Sequence, residues 1–169
     1  LFYNNVVVSE KPGAIWTAIS FWGATDCRVL NNIVVGAGVG IRYIKMNSTA
    51  KGWPWNPPTR NPVVQNNIIY ECETAVGIDE APQNPVSSHN LYYKCGGVPQ
   101  EEGSIVADPK FVNKYSDWHM PASSPARNAG IQPPTEFPAY GGGTYTFEYL
   151  DADGKARTGG WDIGIYNID

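Results

Sequence analysis

Short apolar runs alternate with asparagine-containing turns along the first 95 residues of the chain. The clearest run is Val63 to Cys72, with the sequence Val-Val-Gln-Asn-Asn-Ile-Ile-Tyr-Glu-Cys. The same plan occurs at Arg28 to Val35, at Asn4 to Val8 and at Val86 to Cys95. The asparagines at the shared position are spaced by 27, 35 and 23 residues and are Asn5, Asn32, Asn67 and Asn90. Four copies of one motif indicate a repeat architecture.

The residue types within each repeat predict strands. The apolar runs are rich in Val, Ile and Tyr and are separated by Gly, Asn and Asp. No run has apolar residues at helical spacing over the length of a helix. A second phrase, Val-Gly-Ile, follows two of the asparagine motifs at Val39 to Ile41 and at Val76 to Ile78, and Ala18 to Ser20 takes the equivalent place one repeat earlier. The chain is therefore predicted to be all-β.

The asparagines predict how the repeats are arranged. Asn tolerates a positive φ at the corner between two strands. If successive coils stack about 4.8 Å apart, the asparagine side chains can bond to one another as one internal ladder. In the alternative arrangement, each Asn-Asn pair marks an independent hairpin turn of an antiparallel fold. Asn-Gly, a strong hairpin signal, does not occur in the sequence, which favours the stacked arrangement.

The stacked Asn-Asn-Ile and Val-Gly-Ile phrases resemble the right-handed parallel β-helix of the pectate-lyase-like superfamily. Several C-terminal segments are similar to the closing region of its secreted bacterial members: Asp108 to Asn113, Asp117 to Met120, Ser123 to Gly130, Asp151 to Arg157 and Trp161 to Tyr166. The resemblance implies a solenoid and a secreted or cell-surface location. It is specific for architecture, because this fold carries many different functions.

We expect two regions in this solenoid. Residues 1–103 are predicted to form the coils, and residues 104–169 a C-terminal cap over the last coil. The cap is expected to end in a β-hairpin, with Thr144 to Tyr149 as one strand, a turn at Asp151 to Gly154, and Trp161 to Tyr166 as the other strand. The chain begins inside a repeat, so its N-terminal end is expected to be uncapped. We expect that end to pack on a preceding segment of a longer protein or on another chain.

Composition narrows the classes of partner. The length of 169 residues suffices for one domain with a real core. A net charge of −4 gives no reason to expect nucleic acid as a partner. The sequence contains no run of ~18 apolar residues, so it predicts no membrane-spanning helix. The resemblance to the pectate-lyase-like superfamily implies a polysaccharide or oligosaccharide as the partner.

Cysteines and acidic residues leave the cofactor unknown. Cys72 and Cys95 occupy equivalent places in adjacent repeats, so they are either within disulfide reach or stacked as buried thiols. A zinc site lacks ligands, because the chain has only three Cys and two His. Asp151-Ala152-Asp153-Gly154 resembles the start of a calcium loop without its later acidic position. Calcium is compatible with the sequence and is not required by it.

The candidate site follows from strand alternation. If Ile19, Ile41 and Ile78 point inward, the next residue of each strand points outward. These outward residues form a row across three coils and are Ser20, Arg42 and Asp79. In the families that the chain resembles, this outward strip and the loops beside it bind the sugar chain. An insertion at residues 46–60 lies next to it. The candidate catalytic residues are Arg42, Lys45, Asp79 and Glu80, and the candidate substrate-binding residues are Ser20, Trp22, Trp53 and Trp55.

The residue types permit two reactions and a non-catalytic role. A lyase needs a base and a cation that stabilises an enolate, for which Lys45 and Arg42 are the available types. Hydrolysis needs two carboxylates about 5 to 9.5 Å apart, and Asp79 and Glu80 are neighbours that would point to opposite faces of a strand. The alternative for Arg42 and Asp79 is a surface ion pair that stabilises little. The tryptophans of the insertion are either a platform for sugar rings or part of a loop folded on the coils.

Two functions therefore stay open at the level of the sequence. The first is a secreted carbohydrate-active β-helix that binds and cleaves polysaccharide, as a polysaccharide lyase or glycoside hydrolase, with this chain as the C-terminal part of the enzyme. The second is a non-catalytic module that binds glycan or serves as a surface or filament subunit. No complete catalytic constellation is visible in the sequence, whereas the aromatic insertion beside an outward Arg/Asp strip favours the first.

Overall fold

The computed structural model describes residues 1–45, 57–138, 142–157 and 159–168. These residues form fourteen strands and no helix, which confirms the all-β prediction. The strands are β1 (Phe2–Tyr3), β2 (Val6–Val8), β3 (Ile15–Trp22), β4 (Arg28–Leu30), β5 (Ile33–Val35), β6 (Ala37–Ile44), β7 (Val63–Gln65), β8 (Ile68–Tyr70), β9 (Thr74–Ile78), β10 (Val86–Ser88), β11 (Leu91–Tyr93), β12 (Ile105–Val106), β13 (Glu136–Pro138) and β14 (Thr144–Thr146). No helix that could cross a membrane occurs in this described part.

Three parallel sheets contain the first twelve strands. The first sheet has the order β1-β4-β7-β10, the second β12-β11-β8-β5-β2, and the third β3-β6-β9. From β1 to β9 the chain visits the three sheets in turn, and each such round of three strands is here called a circuit. The fourth circuit begins with β10 and β11 and continues to β12, which is again in the second sheet. Each strand pairs in parallel with the equivalent strand one circuit later. Parallel pairing between the repeated motifs rules out the alternative of independent antiparallel hairpins.

The predicted asparagine ladder is present at the corner between the first and second sheets. The Nδ2 atom of Asn5 donates to Oδ1 of Asn32 at 3.1 Å, Asn32 donates to Asn67 at 3.0 Å, and Asn67 donates to Asn90 at 3.0 Å. The residue before each ladder position makes the turn at positive φ. These turn residues are Asn4 (55°), Asn31 (51°), Asn66 (59°) and His89 (53°). The Asn-Asn pair thus divides two tasks, because its first member bends the chain and its second links the circuits.

The second sheet is buried on both faces. Val34, Ile69 and Tyr92 face the interior enclosed by the three sheets. Ile33, Ile68 and Leu91 belong to a separate apolar cluster on the opposite face. Accordingly, every residue of β5 and β8 is buried. Complete burial of one such Ile or Leu contributes about 1.5–3 kcal/mol, so this sheet is a major source of the stability of the fold.

The C-terminal region covers the outer face of the second sheet. Five of its buried residues pack against that face: Met120, Ala126, Ile163, Ile165 and Ile168. Hydrogen bonds fix it there, since Asn31 Nδ2 donates to the carbonyl oxygens of Asp162 at 3.2 Å and Gly164 at 2.8 Å. The region is predicted to lie over the last coil, and its first strand, β12, does pair with β11 there. The five buried residues lie instead alongside the coils. The physical reason is the apolar outer face of the sheet, which must be shielded from water in each circuit.

The predicted terminal hairpin has a different second strand. β14 pairs antiparallel with β13, so the prediction that Thr144 to Tyr149 pairs with Trp161 to Tyr166 is wrong. Ile163 and Ile165 are instead buried against the second sheet. The predicted turn at Asp151 to Gly154 is present. Its Asp151 Oδ1 accepts hydrogen bonds from the backbone N–H groups of Asp153 at 3.0 Å and Lys155 at 2.8 Å.

A long connection explains the 35-residue spacing between two of the ladder asparagines. Trp22 pairs with Ile44, and Thr25 pairs with Arg60. The chain therefore crosses the same gap with residues 23–24 in one circuit and with residues 45–59 in the next. The predicted insertion lies in that place. Its residues 46–56, which include the candidate site residues Trp53 and Trp55, lie outside the described residues.

The first circuit forms one edge of each parallel sheet. Among the described residues, β1 pairs only with β4, β2 only with β5, and β3 only with β6. Leu1 and Phe2 are 58% and 37% exposed at this end. Within the described part of the chain, these strands pair on one edge only. The expectation of a covering segment or a partner chain at this end stays a prediction.

Candidate functional site

The candidate site is the outer face of the third sheet, β3-β6-β9. Alternation along β3 places Ile19 and Phe21 in the interior and leaves Ser20 and Trp22 on the outside. Trp22 is 59% exposed, and Trp16, on the same strand, is 67% exposed. Large aromatic side chains are usually at least half-buried. Two exposed tryptophans on one strand therefore make this face the candidate binding surface.

Arg42 lies at the centre of this face. It pairs in register with Ser20 on β3. Its Nη2 donates to Asp79 Oδ1 at 2.9 Å, and its Nε lies 3.2 Å from both carboxylate oxygens. The guanidinium carbon also lies 4.5 Å from the centroid of the Trp16 ring, a cation–π contact. Arg42 thus connects one exposed tryptophan to the carboxylate beyond β9.

Gly77 gives the Arg42 side chain room to reach Asp79. Gly77 is the register partner of Arg42 on β9. A Cβ atom at Gly77 would lie 3.4 Å from Arg42 Cγ and 3.0 Å from Val39 Cγ1. The stem of Arg42 therefore crosses β9 over a position that has no side chain. A side chain larger than a methyl group at this position would overlap the stem and displace the guanidinium from its partners.

The predicted row of Ser20, Arg42 and Asp79 is only partly correct. Ser20 and Arg42 are neighbours, but Gly77 takes the third place, because Ile41 pairs with Val76 and not with Ile78. The prediction that Ile78 lies beside Ile41 is wrong, although Ile78 shares the inward side of β9 with Val76 and lines the interior cavity next to Glu101. Tyr43 is the register partner of Ile78, and Ile78 is 60% exposed at the end of β9. Asp79 nevertheless reaches Arg42 diagonally.

The remaining candidate catalytic residues lie just beyond the strand ends. Lys45 is exposed directly after β6, and Glu80 is half-buried directly after Asp79. Neither is in the ion pair of Arg42, whose carboxylate partner is Asp79. The alternative of a cross-circuit Arg42–Asp79 ion pair is therefore what the geometry shows. No group of three or more His, Cys, Asp or Glu side chains that could hold a metal ion occurs in the described residues.

Trp16 is a site residue that sequence reasoning missed. The repeated phrase predicts a strand only from Ala18 onward, whereas β3 begins at Ile15. The signal was present, because Trp16 and Trp22 stand an even number of residues apart and alternation places both on one face. Trp22, Ser20 and Arg42, which were predicted as site residues, do lie on this face.

The far end of the ladder carries a second polar feature around Glu101. Its Oε2 accepts hydrogen bonds from Asn90 Nδ2 at 3.0 Å, from Tyr92 Oη at 3.0 Å and from Ser104 Oγ at 2.8 Å. Its Oε1 accepts from the hydroxyl of Ser87. The ladder of amides thus ends on a carboxylate. This arrangement satisfies the last ladder amide, which has no further asparagine to donate to.

A small apolar cavity adjoins Glu101 at this end of the interior. It measures ≈ 240 Å³, and its lining includes Tyr43, Ile78, Val76 and Glu101. Burial, with a smaller effect from the negative Glu101, raises the pKa of Tyr43 to about 12. Burial likewise raises the pKa of Tyr92, whose hydroxyl donates to Glu101. Both phenols are therefore neutral donors at neutral pH.

Comparison with known proteins adds no relative on which to base a function. A scan of protein-family models finds none that matches the chain, and searches of curated proteins and of solved structures find no match either.

Proposed function

We propose that this chain is a polysaccharide-binding domain of a secreted or cell-surface protein, and that its circuits form a right-handed parallel β-helix of the pectate-lyase-like kind. Three observations support the proposed fold: three parallel sheets visited in turn, an internal asparagine ladder, and a C-terminal region with the segments described above. The proposed location and the proposed kinship rest on the resemblance of the sequence.

The observation that carries the binding proposal is the pair of exposed tryptophans on β3. Six residues separate Trp16 from Trp22, and an extended strand rises about 3.3 Å per residue, so the two lie up to about 20 Å apart. That distance suits an extended chain of sugars better than a single ring. The apolar faces of sugar rings stack on flat aromatic side chains, and Ser20 and Arg42 between the tryptophans offer hydrogen-bond donors to hydroxyls.

The test is affinity electrophoresis in gels that contain one polysaccharide each, with neutral and uronate polymers in the panel. We expect retardation of the wild-type chain by at least one polymer. Trp22→Ala and Trp16→Ala should each weaken that retardation about tenfold, the equivalent of roughly 1.4 kcal/mol. Tyr145→Ala removes an aromatic side chain of similar exposure (65%) on β14 and is the matched control. Equal effects of Trp22→Ala and Tyr145→Ala would overturn the proposal.

Cleavage of the polysaccharide is a second candidate. The observation that favours it is the position of Arg42 on the tryptophan-bearing face, with Lys45 following at the end of the same strand. The neutralisation of Arg42 by Asp79 argues for binding alone. Incubating the bound polymer with the chain and assaying for unsaturated products and new reducing ends decides between them. Products that disappear in Arg42→Ala would support cleavage, and an absence of products would leave a binding domain.

A further inference from the structure

Two cysteines lie against each other in successive circuits. Cys72 and Cys95 each come two residues after a paired tyrosine, since Tyr70 on β8 pairs with Tyr93 on β11. The backbone N–H of Cys72 donates to the sulfur of Cys95 at 3.3 Å. Adjacent parallel strands lie about 4.8 Å apart, which falls within the Cα separation that a disulfide needs. Both cysteines are free thiols in the structure.

The two thiols differ in environment. Cys72 is buried in the interior cluster and is 2% exposed, whereas Cys95 is half-buried and followed by the exposed Gly96. A hydrogen bond from the Cys72 thiol, together with backbone N–H donation, lowers the pKa of Cys95. The same contact, together with burial, raises the pKa of Cys72. The thiol that a small molecule can reach is therefore also the better nucleophile at neutral pH.

We propose that Cys95 is a reactive thiol that exchanges with a small-molecule disulfide and is then resolved by Cys72, which gives an intramolecular disulfide between the third and fourth circuits. In the first step the Cys95 thiolate attacks one sulfur of the oxidant, and one thiolate leaves. In the second step the Cys72 thiol loses its proton and attacks the Cys95 sulfur, and the second thiolate leaves. Two protein thiols are oxidised, and the oxidant is reduced to two thiols.

Cys27 provides an internal reference for this chemistry. It is half-buried like Cys95, but its sulfur contacts only the carbonyl oxygen of Thr25, at 3.7 Å, among the hydrogen-bond partners described. No second cysteine lies at the equivalent position of the neighbouring circuits. If Cys95 reacted only because it is exposed, it should react like Cys27. If it is paired with Cys72, it should form a disulfide that Cys27 cannot form.

The first experiment treats the folded wild-type chain with oxidised glutathione, blocks the remaining thiols with iodoacetamide and maps tryptic peptides by mass spectrometry. Trypsin cleaves after Arg60, Lys94 and Lys110, so the disulfide joins two otherwise separate peptides, 61–94 and 95–110. We expect this joined pair, with Cys27 blocked by iodoacetamide or carrying glutathione. A rise in melting temperature of about 5–10 °C should accompany the link, because it closes a long loop in the unfolded chain. Three unlinked thiols, or a link to Cys27, would overturn the proposal.

Single variants distinguish the attacking thiol from the resolving one. Cys72→Ala should retain glutathione on Cys95 as a stable mixed disulfide, whereas Cys95→Ala should leave Cys72 unmodified in the folded chain. Cys27→Ala should form the cross-link as the wild type does. A glutathione adduct on Cys72 in Cys95→Ala would overturn the assignment. If circular dichroism shows that a variant is unfolded, the wild-type peptide map decides alone.

Discussion

The side-chain amide of Asn67 donates to Oδ1 of Asn90 at 3.0 Å and accepts from the amide of Asn32 at the same distance. Asn67 Nδ2 also lies within hydrogen-bond distance of the carbonyl oxygens of Val29 and Gln65. Every polar atom of this fully buried side chain is thus satisfied. Amides that donate in one direction polarise one another, so the ladder is a connected unit that links four circuits.

Replacing Asn67 tests how much this unit contributes. Asn67→Ala removes the side-chain acceptor of both the backbone N–H and Nδ2 of Asn32 and the side-chain donor to the carbonyl oxygen of Val29. Asn90 Oδ1 loses one of its two donors and keeps the backbone N–H of residue 67. We expect the free energy of unfolding to fall by about 3 kcal/mol or more, because each unsatisfied buried group costs about 1–3 kcal/mol. Asn5→Ala, at the half-buried start of the ladder, should cost less. Urea denaturation measures both, and equal losses would contradict a ladder that is strongest in its interior.

The carboxylate at the end of the ladder gives a second prediction. Tyr92→Phe removes one donor to Glu101 and should cost about 1 kcal/mol, whereas Glu101→Gln places an amide group among several donors and should cost about 1–3 kcal/mol. Because the two residues share a hydrogen bond of 3.0 Å, the double variant should lose less than the sum. A double-mutant cycle by urea denaturation measures this coupling, expected at about 0.5–3 kcal/mol. Additive losses would show that Tyr92 and Glu101 act independently.

The ladder was predictable because residues within the motif itself determine both the turn and the link between circuits. The Asn-Asn pair supplies a residue for positive φ and a side chain for the link, and the spacing from Asn32 to Asn67 is the spacing of the backbone register as well. That spacing continues beyond the motif, since Val39 pairs with Thr74 and Ile41 with Val76. Matching the Val-Gly-Ile phrases instead shifts the register by two residues. The recurrence of Val-Gly-Ile therefore does not reflect equivalent positions in the third sheet, and the spacing of the ladder asparagines predicts the register correctly.

The cover on the second sheet and the extent of the site were less predictable. The sequence around Ile33 and Ile68 does not show whether the outer face of the second sheet is exposed to solvent or covered. That depends on residues more than ninety positions away, such as Ile163. The hairpin prediction failed for the same reason, since burial against the sheet wins over local strand pairing. Trp16 was missed because the strand was started too late.

His119 predicts a pH-dependent stability. Its Nδ1 lies 2.7 Å from Asp117 Oδ1, its Nε2 lies 3.5 Å from Asp153 Oδ2, and its ring stacks on Tyr166 with centroids 3.9 Å apart. The hydrogen bond to Asp117 is the main cause that raises the pKa of His119 above 6.5. A raised pKa in the folded state stabilises the protein below about pH 6.5, and this contribution is lost as the pH rises through the folded-state value.

The measurement compares melting temperatures of the wild type and His119→Gln. At about pH 5.5 the wild type should melt at a higher temperature than His119→Gln, and this gain in melting temperature should be smaller at about pH 8.5. At lower pH the gain should shrink again, because His119 lowers the pKa of Asp117, and that carboxylate becomes protonated. A difference between the two proteins that is constant with pH would show that the ring acts only through its stacking on Tyr166.

The geometry around Arg42 predicts an effect on binding with little effect on stability. Arg42→Lys keeps the charge but removes the planar group that contacts Asp79 through two nitrogens and stacks on Trp16. We expect polysaccharide retardation to weaken, while the free energy of unfolding changes by less than about 1 kcal/mol, as is usual for surface ion pairs. Gly77→Val should weaken retardation in the same way, because its methyl groups would overlap the stem of Arg42, which already lies 3.4 Å from the position of a Cβ atom. Unchanged retardation in both variants would remove Arg42 from the site.

The register of the third sheet makes the last prediction. Ile41 and Ile78 would be equivalent if the Val-Gly-Ile phrases were aligned, and truncating either would then cost a similar amount. In the structure Ile41 is 1% exposed and Ile78 is 60% exposed. Ile41→Ala should therefore lower the free energy of unfolding by about 2–5 kcal/mol, the usual cost of a cavity in a core. Ile78→Ala should cost less than about 1 kcal/mol, since most of that side chain already contacts water. Urea denaturation of the two variants separates the two registers, because equal losses would favour the aligned phrases.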